Sequence, residues 1–487
     1  MRPRSARGRA TVAAIVVVLL ALAATGTYAL TRETIAHVDL YEDGVALGPD
    51  GTVYRLPAGF DATYLEGSRV LDPATLDDDD LDPDGDVTTA IKPVGGGSPA
   101  SALADAAGAE QTAEESRAWL AAGTIPGASA DLEDLGTDAL LDLHALVLDN
   151  GASVAAPSPP WWYTWPRDGA FVAVALARTG HVDDAADVLA FLQGVQEDDG
   201  SFQARYLPDG SGPPDDRGEQ SDGPGWMLWA TDEVLAAAPV DDRAALRSRL
   251  DPLVDASSTY LLSLVDVPSS LPPASSDYWE VEADELTLGT AGPVLAGLEA
   301  AAAIYADDGD GERSRILRTA ADETRSSIEQ TFGAAGYPRE ITGGARDAAT
   351  AFVLPPFQPT PLEGATEAWV ASVDEMRRPA GGLAPGGGWK NDGISWTPQT
   401  SLYAMTAATM DDRHVALSWL DWIDSHRTDS GAIPEKVLAD GSPAAVAPLA
   451  WSAANVLIAL DTLDRSAPAP PEVSDTDAPV DETEVSP

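Results

Sequence analysis

From about Ala107 to Asp464 the chain repeats one pattern, Ala- and Leu-rich stretches broken by Gly, Pro or Asp clusters. Apolar residues three or four apart collect on one face of a helix, and the breakers mark where each helix stops. Helices are expected over Thr112–Ala122, Asp131–Asp149, Gly169–Gly180, Val182–Gln196, Gly223–Ala238 and Arg243–Val265. Others are expected over Asp284–Asp307, Ser314–Phe332, Thr366–Arg377, Thr397–Met410, Asp412–His426 and Leu449–Asp464. Central strands are not evident. Helices joined by alternately short and long loops close naturally into two concentric rings, so residues 106–465 are expected to form an all-α (α/α)6 toroid. The long loops, 155–168, 197–222, 266–283, 339–361, 379–396 and 427–448, gather the polar and aromatic residues, and function concentrates in such loops.

The flanks differ in texture. Residues 1–9 carry Arg2, Arg4, Arg7 and Arg9, and an uncharged run follows over 10–30. About 20 apolar residues can cross a bilayer as a helix, and positive residues before them leave the N-terminus inside. The run reads as a signal anchor or a cleaved signal peptide. Its length, and the want of a clean small-x-small cleavage site, favour the anchor. The bulk of the chain is then expected outside the cytoplasm, membrane-tethered or secreted. Residues 31–105 form a small β-rich segment and linker, with strands expected near Ala36–Leu40, Thr52–Leu56 and Val87–Val94. Asp80, Asp82, Asp84 and Gly85 have the spacing that opens an EF-hand loop, but the twelfth position is Ile91, so a solvated acidic turn is expected. The acidic, Pro-rich tail 466–487 has little to bury and is expected to be disordered.

Composition narrows the partners. Asp and Glu number 79 against 29 Lys and Arg, a net charge of −50, with no cysteine. Such a surface repels nucleic acid and leaves neutral ligands such as sugars indifferent to the field. Disulfides and thiolate metal sites are excluded, and the five scattered histidines suggest no metal. No metal and no cofactor are expected.

The segment Trp161-Trp162-Tyr163-Thr164-Trp165-Pro166-Arg167-Asp168 reads as a sugar-binding surface. Flat aromatic faces suit the C–H faces of a pyranose, and a guanidinium and carboxylate can share its hydroxyls. Two glutamates then stand out. Glu280 follows Trp279; a carboxyl shielded by an indole holds its proton more readily than an exposed one, as a general acid requires. Glu435 lies between Pro434 and Lys436, where a stiff approach and a nearby ammonium suit a base. Asp347 is expected to start a helix with a salt bridge. Trp226, Trp229, Trp419 and Trp422, spaced three apart on helices, are expected to pack in the core.

These stretches resemble, in order, those of glycoside hydrolase family 15, the glucoamylase-like enzymes. Tyr163–Asp168 is similar to the family's Y-T-W-P-R-D segment, and Gln220–Gly225 to its Q-x-D-G-P segment. Trp279-Glu280 is similar to the W-E of the catalytic acid. Pro434-Glu435, with Trp451-Ser452 after it, is similar to the P-E of the catalytic base and the following W-S. The likeness spans roughly residues 155–455. It implies an (α/α)6 barrel that releases a terminal sugar from non-reducing ends, with inversion, by single displacement. Glu280 would then be the general acid and Glu435 the general base. Trp165, Arg167, Asp168, Asp222, Trp279, Trp396 and Trp451 would contact an oligo- or polysaccharide substrate, and the enzyme would be a monomer.

The chain also departs from the family. If Gly382 aligns with the glycine of the leaving-sugar motif G-R-Y-x-x-D, Leu383 and Gly387 replace its Arg and Asp. Trp389, Lys390 or Asp392 could stand in. Glucose from α-glucosides is therefore the first expectation and another linkage or sugar the second. An anchored carbohydrate-binding protein that has lost turnover is the third.

Overall fold

A computed structural model of the chain describes residues 35–82, 90–127 and 130–466. The basic segment 1–9, the apolar run 10–30, Asp84 and Gly85 of the acidic turn, and the tail after Ser466 lie outside the described residues.

The β-rich segment opens with strands β1 (Glu42–Leu47), β2 (Val53–Pro57) and β3 (Lys92–Pro93), an antiparallel sheet in that order. Its first strand lies further on than expected, because β1 opens on charged residues, Glu42 and Asp43, that are themselves buried. Glu42 is paired there with Arg55 at 3.1 Å. The apolar run Ala36–Leu40 instead forms an extended strap, bridged at Leu40 to Ala445.

Helices α1 (Ala106–Ala122), α2 (Ala130–Leu146), α3 (Pro166–Arg178), α4 (Val182–Val195) and α5 (Gly223–Ala237) follow. After these come α6 (Arg243–Arg249), α7 (Asp251–Val265), α8 (Leu288–Asp307), α9 (Gly311–Thr331) and α10 (Ala365–Met376). The last described elements are α11 (Thr397–Thr409), α12 (Arg413–Asp424) and α13 (Ala450–Arg465), around a small antiparallel sheet of β4 (Ser395–Trp396), β5 (Lys436–Val437) and β6 (Pro443–Ala444). The expected helix Arg243–Val265 is two helices, since Pro252 resists continuation of the first.

Contacts arrange these elements as two rings. The inner ring runs α3, α5, α8, a 3-10 segment Ala348–Val353, α11 and α13, which returns to α3. Outside it, α2, α4, α7, α9, α10 and α12 each pack on an inner member. This is the expected double ring with one change: the fourth inner position is 3-10, in a stretch expected to be loop. Asp347 caps its start by accepting from Ala349 N, and Pro355-Pro356 stops it before an α-helix can grow. The inner helices are apolar almost all round, as their burial requires. In α3 every residue from Pro166 to Ala177 is buried. Helices α5 and α8 touch backbone to backbone, where a Cβ at Gly297 would meet Gly225 Cα at 2.6 Å. The long apolar α8 has the length and hydropathy of a membrane span, but 89% of that window is buried inside the ring.

The β-rich segment has a definite place. Tyr41 N donates to Ala445 O and Ala445 N to Asp39 O, at 2.6 and 3.0 Å. Thr428 Oγ1 donates to Asp43 O at 2.6 Å, and Ser430 N to Asp43 Oδ1 at 3.2 Å. Residues 39–43 therefore brace the loop 427–448 on both sides of Glu435.

Candidate active site

A cavity of about 330 Å³ opens at the N-terminal ends of the inner helices. The local sequence explains what faces it. Trp165 caps α3 with Pro166 behind it, which puts Arg167 and Asp168 on the first turn. Trp396 does the same for α11, and Leu449 caps α13 so that Trp451 enters on its first turn. Helix N-termini carry partial positive charge and free N–H groups, a favourable surround for oxygen-rich ligands.

Of the nine residues expected from the sequence, eight line this cavity: Trp165, Arg167, Asp168, Trp279, Glu280, Trp396, Glu435 and Trp451. The ninth, Asp222, does not. It is 1% exposed and stands behind Arg167, accepting from Arg167 Nη1 at 2.7 Å and from Trp226 Nε1 at 2.9 Å. From there it orients the guanidinium rather than a ligand. Trp226 and Trp229 are core residues, as is Trp419. Asp347 is fully buried in a salt bridge to Arg339 at 2.7 Å while it caps the 3-10 segment, the bland role expected of it.

Glu280 sits on the loop before α8 with a φ of 55°, a left-handed conformation that a non-glycine residue holds only under tertiary constraint. Its surroundings are not the apolar shield expected from Trp279. Gln220 Nε2 and Arg167 Nη2 donate to Oε1 at 2.7 and 3.2 Å, and Arg217 Nη1 donates to Oε2 at 2.9 Å. Glu435 is 8% exposed and fixed through its backbone: its N–H donates to Val446 O at 2.8 Å, and its carbonyl accepts from Thr397 N at 3.0 Å. Lys436 Nζ lies 3.0 Å from Glu435 Oε2 and 4.3 Å from the centre of the Trp396 ring.

The walls are aromatic with a polar edge. Trp279 and Trp389 meet edge to face at 4.8 Å, and Trp389 and Trp396 at 5.6 Å. The Nε1 atoms of Trp279, Trp389, Trp396 and Trp451, Arg167 Nε and Gln399 Oε1 are buried without a hydrogen-bond partner among the described residues. Unmet polar groups are costly. A polyhydroxylated ligand is the kind that meets both indole faces and such atoms. The sequence reading missed Arg205, Arg217 and Gln399 on this wall. Arg217 lies in an unpatterned Pro-, Asp- and Gly-rich loop that offered no signal, whereas Gln399, at the start of α11 beside Trp396, could have been found. Of the three candidates for the altered leaving-sugar motif, Trp389 lines the cavity.

Burial pushes the Asp168 carboxyl up from 3.8 to about 7, against the pull of Arg167 and with help from the Glu280 charge. The folded protein thus binds a proton there that the unfolded chain releases. That contribution to stability is full below pH 3.8 and is lost as pH rises through about 7. Asp168→Asn should therefore gain on the wild type by up to roughly a few kcal/mol above pH 7, with no gain below pH 4. Chemical denaturation of both proteins across pH 4–8 checks this; a constant difference would sink it.

No family model matches the chain. The isomaltose glucohydrolase of Kribbella flavida is 28% identical over 363 residues, 66% of this chain and 90% of that protein. A solved wild-type glycosidase superposes with a TM-score of 0.56 at 24% identity, covering 66% of this chain and 94% of its own. A bacterial glucoamylase complexed with acarbose superposes at 0.59 with 15% identity, covering 77% of this chain and 62% of its own. The chain has the glucoamylase fold. Its relatives by sequence and by structure are glycoside hydrolases, and the resemblance read from the motifs agrees with them in kind.

Proposed function

We propose that this chain is an exported exo-acting hydrolase that releases glucose from the non-reducing ends of α-glucosides with inversion. The observation that carries the reading is the presence of Glu280 and Glu435 on one tryptophan-walled cavity that also holds Arg167 and Asp168. The isomaltose glucohydrolase relative makes isomaltose the first substrate to try. Export, and tethering by residues 10–30, rest on the basic-then-apolar N-terminus.

In this mechanism Arg167, Asp168 and the indole faces hold the terminal sugar. Glu280 gives its proton to the glycosidic oxygen as the C–O bond breaks. Glu435 takes a proton from the water that attacks the anomeric carbon from the opposite side. Such a pair works with its carboxyl groups roughly 6.5–9.5 Å apart, which leaves space for that water. The Trp-lined walls exclude bulk solvent and strengthen each polar contact.

The test follows the anomer released from maltose, isomaltose, trehalose, kojibiose, nigerose and malto-oligosaccharides by NMR. β-Glucose from at least one linkage is expected. α-Glucose would contradict the inverting pair, and silence across the panel would turn the search to other glycosyl groups.

A further inference from the structure

The two oxygens of Glu280 are held unequally. Oε1 faces inward and accepts from Gln220 and Arg167, both buried. Oε2 accepts from Arg217, whose side chain is 40% exposed at the cavity mouth. Arg217 Nε lies 3.3 Å from Asp215 Oδ2, and Asp215 pairs in turn with Arg205 Nη2 at 2.5 Å. Arg205 is fixed over the Tyr163 and Trp165 rings at 4.2 and 5.2 Å.

We propose that Arg217 is the leaving-side positioning and specificity residue of this site. It caps the outer oxygen of Glu280 until a leaving sugar displaces it, then turns to Asp215 and donates to that sugar. The inference rests on the reading of Glu280 as the general acid. With Oε1 committed to two inward donors, the transferable proton has to sit on Oε2. An O–H there and the Arg217 N–H cannot share one line, so the guanidinium has to give way before Glu280 can donate. Asp215 is already at pairing distance, so the move does not strand the charge. Exposed ion pairs are weak enough to exchange.

The leaving sugar necessarily lies beside the oxygen that protonates it, within reach of Arg217. That supplies a contact where the resemblance has Leu383 and Gly387 in place of an Arg and an Asp.

The experiment compares full-length wild type, Arg217→Ala and Arg217→Lys on two substrates. One is the glucoside that the wild type cleaves fastest. The other is α-glucosyl fluoride, whose leaving group is small and needs little proton donation. In Arg217→Ala the ratio of kcat/KM for the glucoside to that for the fluoride should fall about tenfold or more, the scale of a lost hydrogen bond to a charged group. Arg217→Lys, which keeps a donor and a positive charge, should recover part of that ratio. Equal losses on the two substrates, or no recovery in Arg217→Lys, would overturn the proposal. Wild-type protein that turned over neither substrate would overturn the hydrolase reading first, and this inference with it.

Discussion

Glu435→Gln is expected to lower kcat on a disaccharide by about 10³-fold, and Glu280→Gln by a similar factor, each with an unchanged circular-dichroism spectrum and little change in melting temperature. The size follows from the contribution of a placed acid or base, about 10²–10⁴-fold. The substitutions keep shape and hydrogen-bonding capacity while removing the carboxylate. The two variants should separate on α-glucosyl fluoride. A fluoride leaves with little help from an acid, so Glu280→Gln should recover much of its loss there. Glu435→Gln should not, because the attacking water still needs its base. The backbone clamp on Glu435, between Val446 O and Thr397 N, holds that loop against a compensating shift. Activity within about threefold of wild type in either variant would remove that residue from the mechanism.

What the sequence made legible was what local pattern determines. The inner helices are apolar on every face, so their existence showed through even though their partners did not. The cavity residues that adjoin helix starts, Trp165-Pro166-Arg167-Asp168 and Trp396-Thr397-Pro398, were readable because proline and helix caps leave a local signature. The 3-10 segment Ala348–Val353 was hidden by the two prolines that shape it. Its place in the ring depends on Asp347 and Arg339, from one loop, and on Tyr278 from another. Arg205 and Arg217 escaped for the same reason: loop chemistry is set by what the loop folds against. Asp222 shows a subtler limit. Its motif was found, but whether a carboxylate faces the ligand or the arginine behind it is a difference of one side-chain layer, and sequence spacing does not encode that.

That layer can be tested, and the test carries the largest stability effect expected here. Arg167→Met should cost about 3–5 kcal/mol of folding stability, because it leaves the Asp222 carboxylate buried and uncompensated. Asp222 would then keep Trp226 Nε1 as a donor and lose the cation it faces at 2.7 Å. Burial raises the cost of a lone charge there, and a methionine fills the volume without replacing it. The double variant Arg167→Met with Asp222→Asn removes both charges and should regain most of that loss, by at least about 2 kcal/mol relative to Arg167→Met alone. Sugar binding should not return with it, since Arg167 rather than Asp222 faces the cavity. Denaturant titration and calorimetric titration with the released sugar read the two quantities separately. If the double variant stayed as unstable as the single one, the pairing would not be the cost. If Asp222→Asn alone abolished binding while Arg167→Met did not, Asp222 would be the ligand contact, and the arrangement of this wall would be reversed.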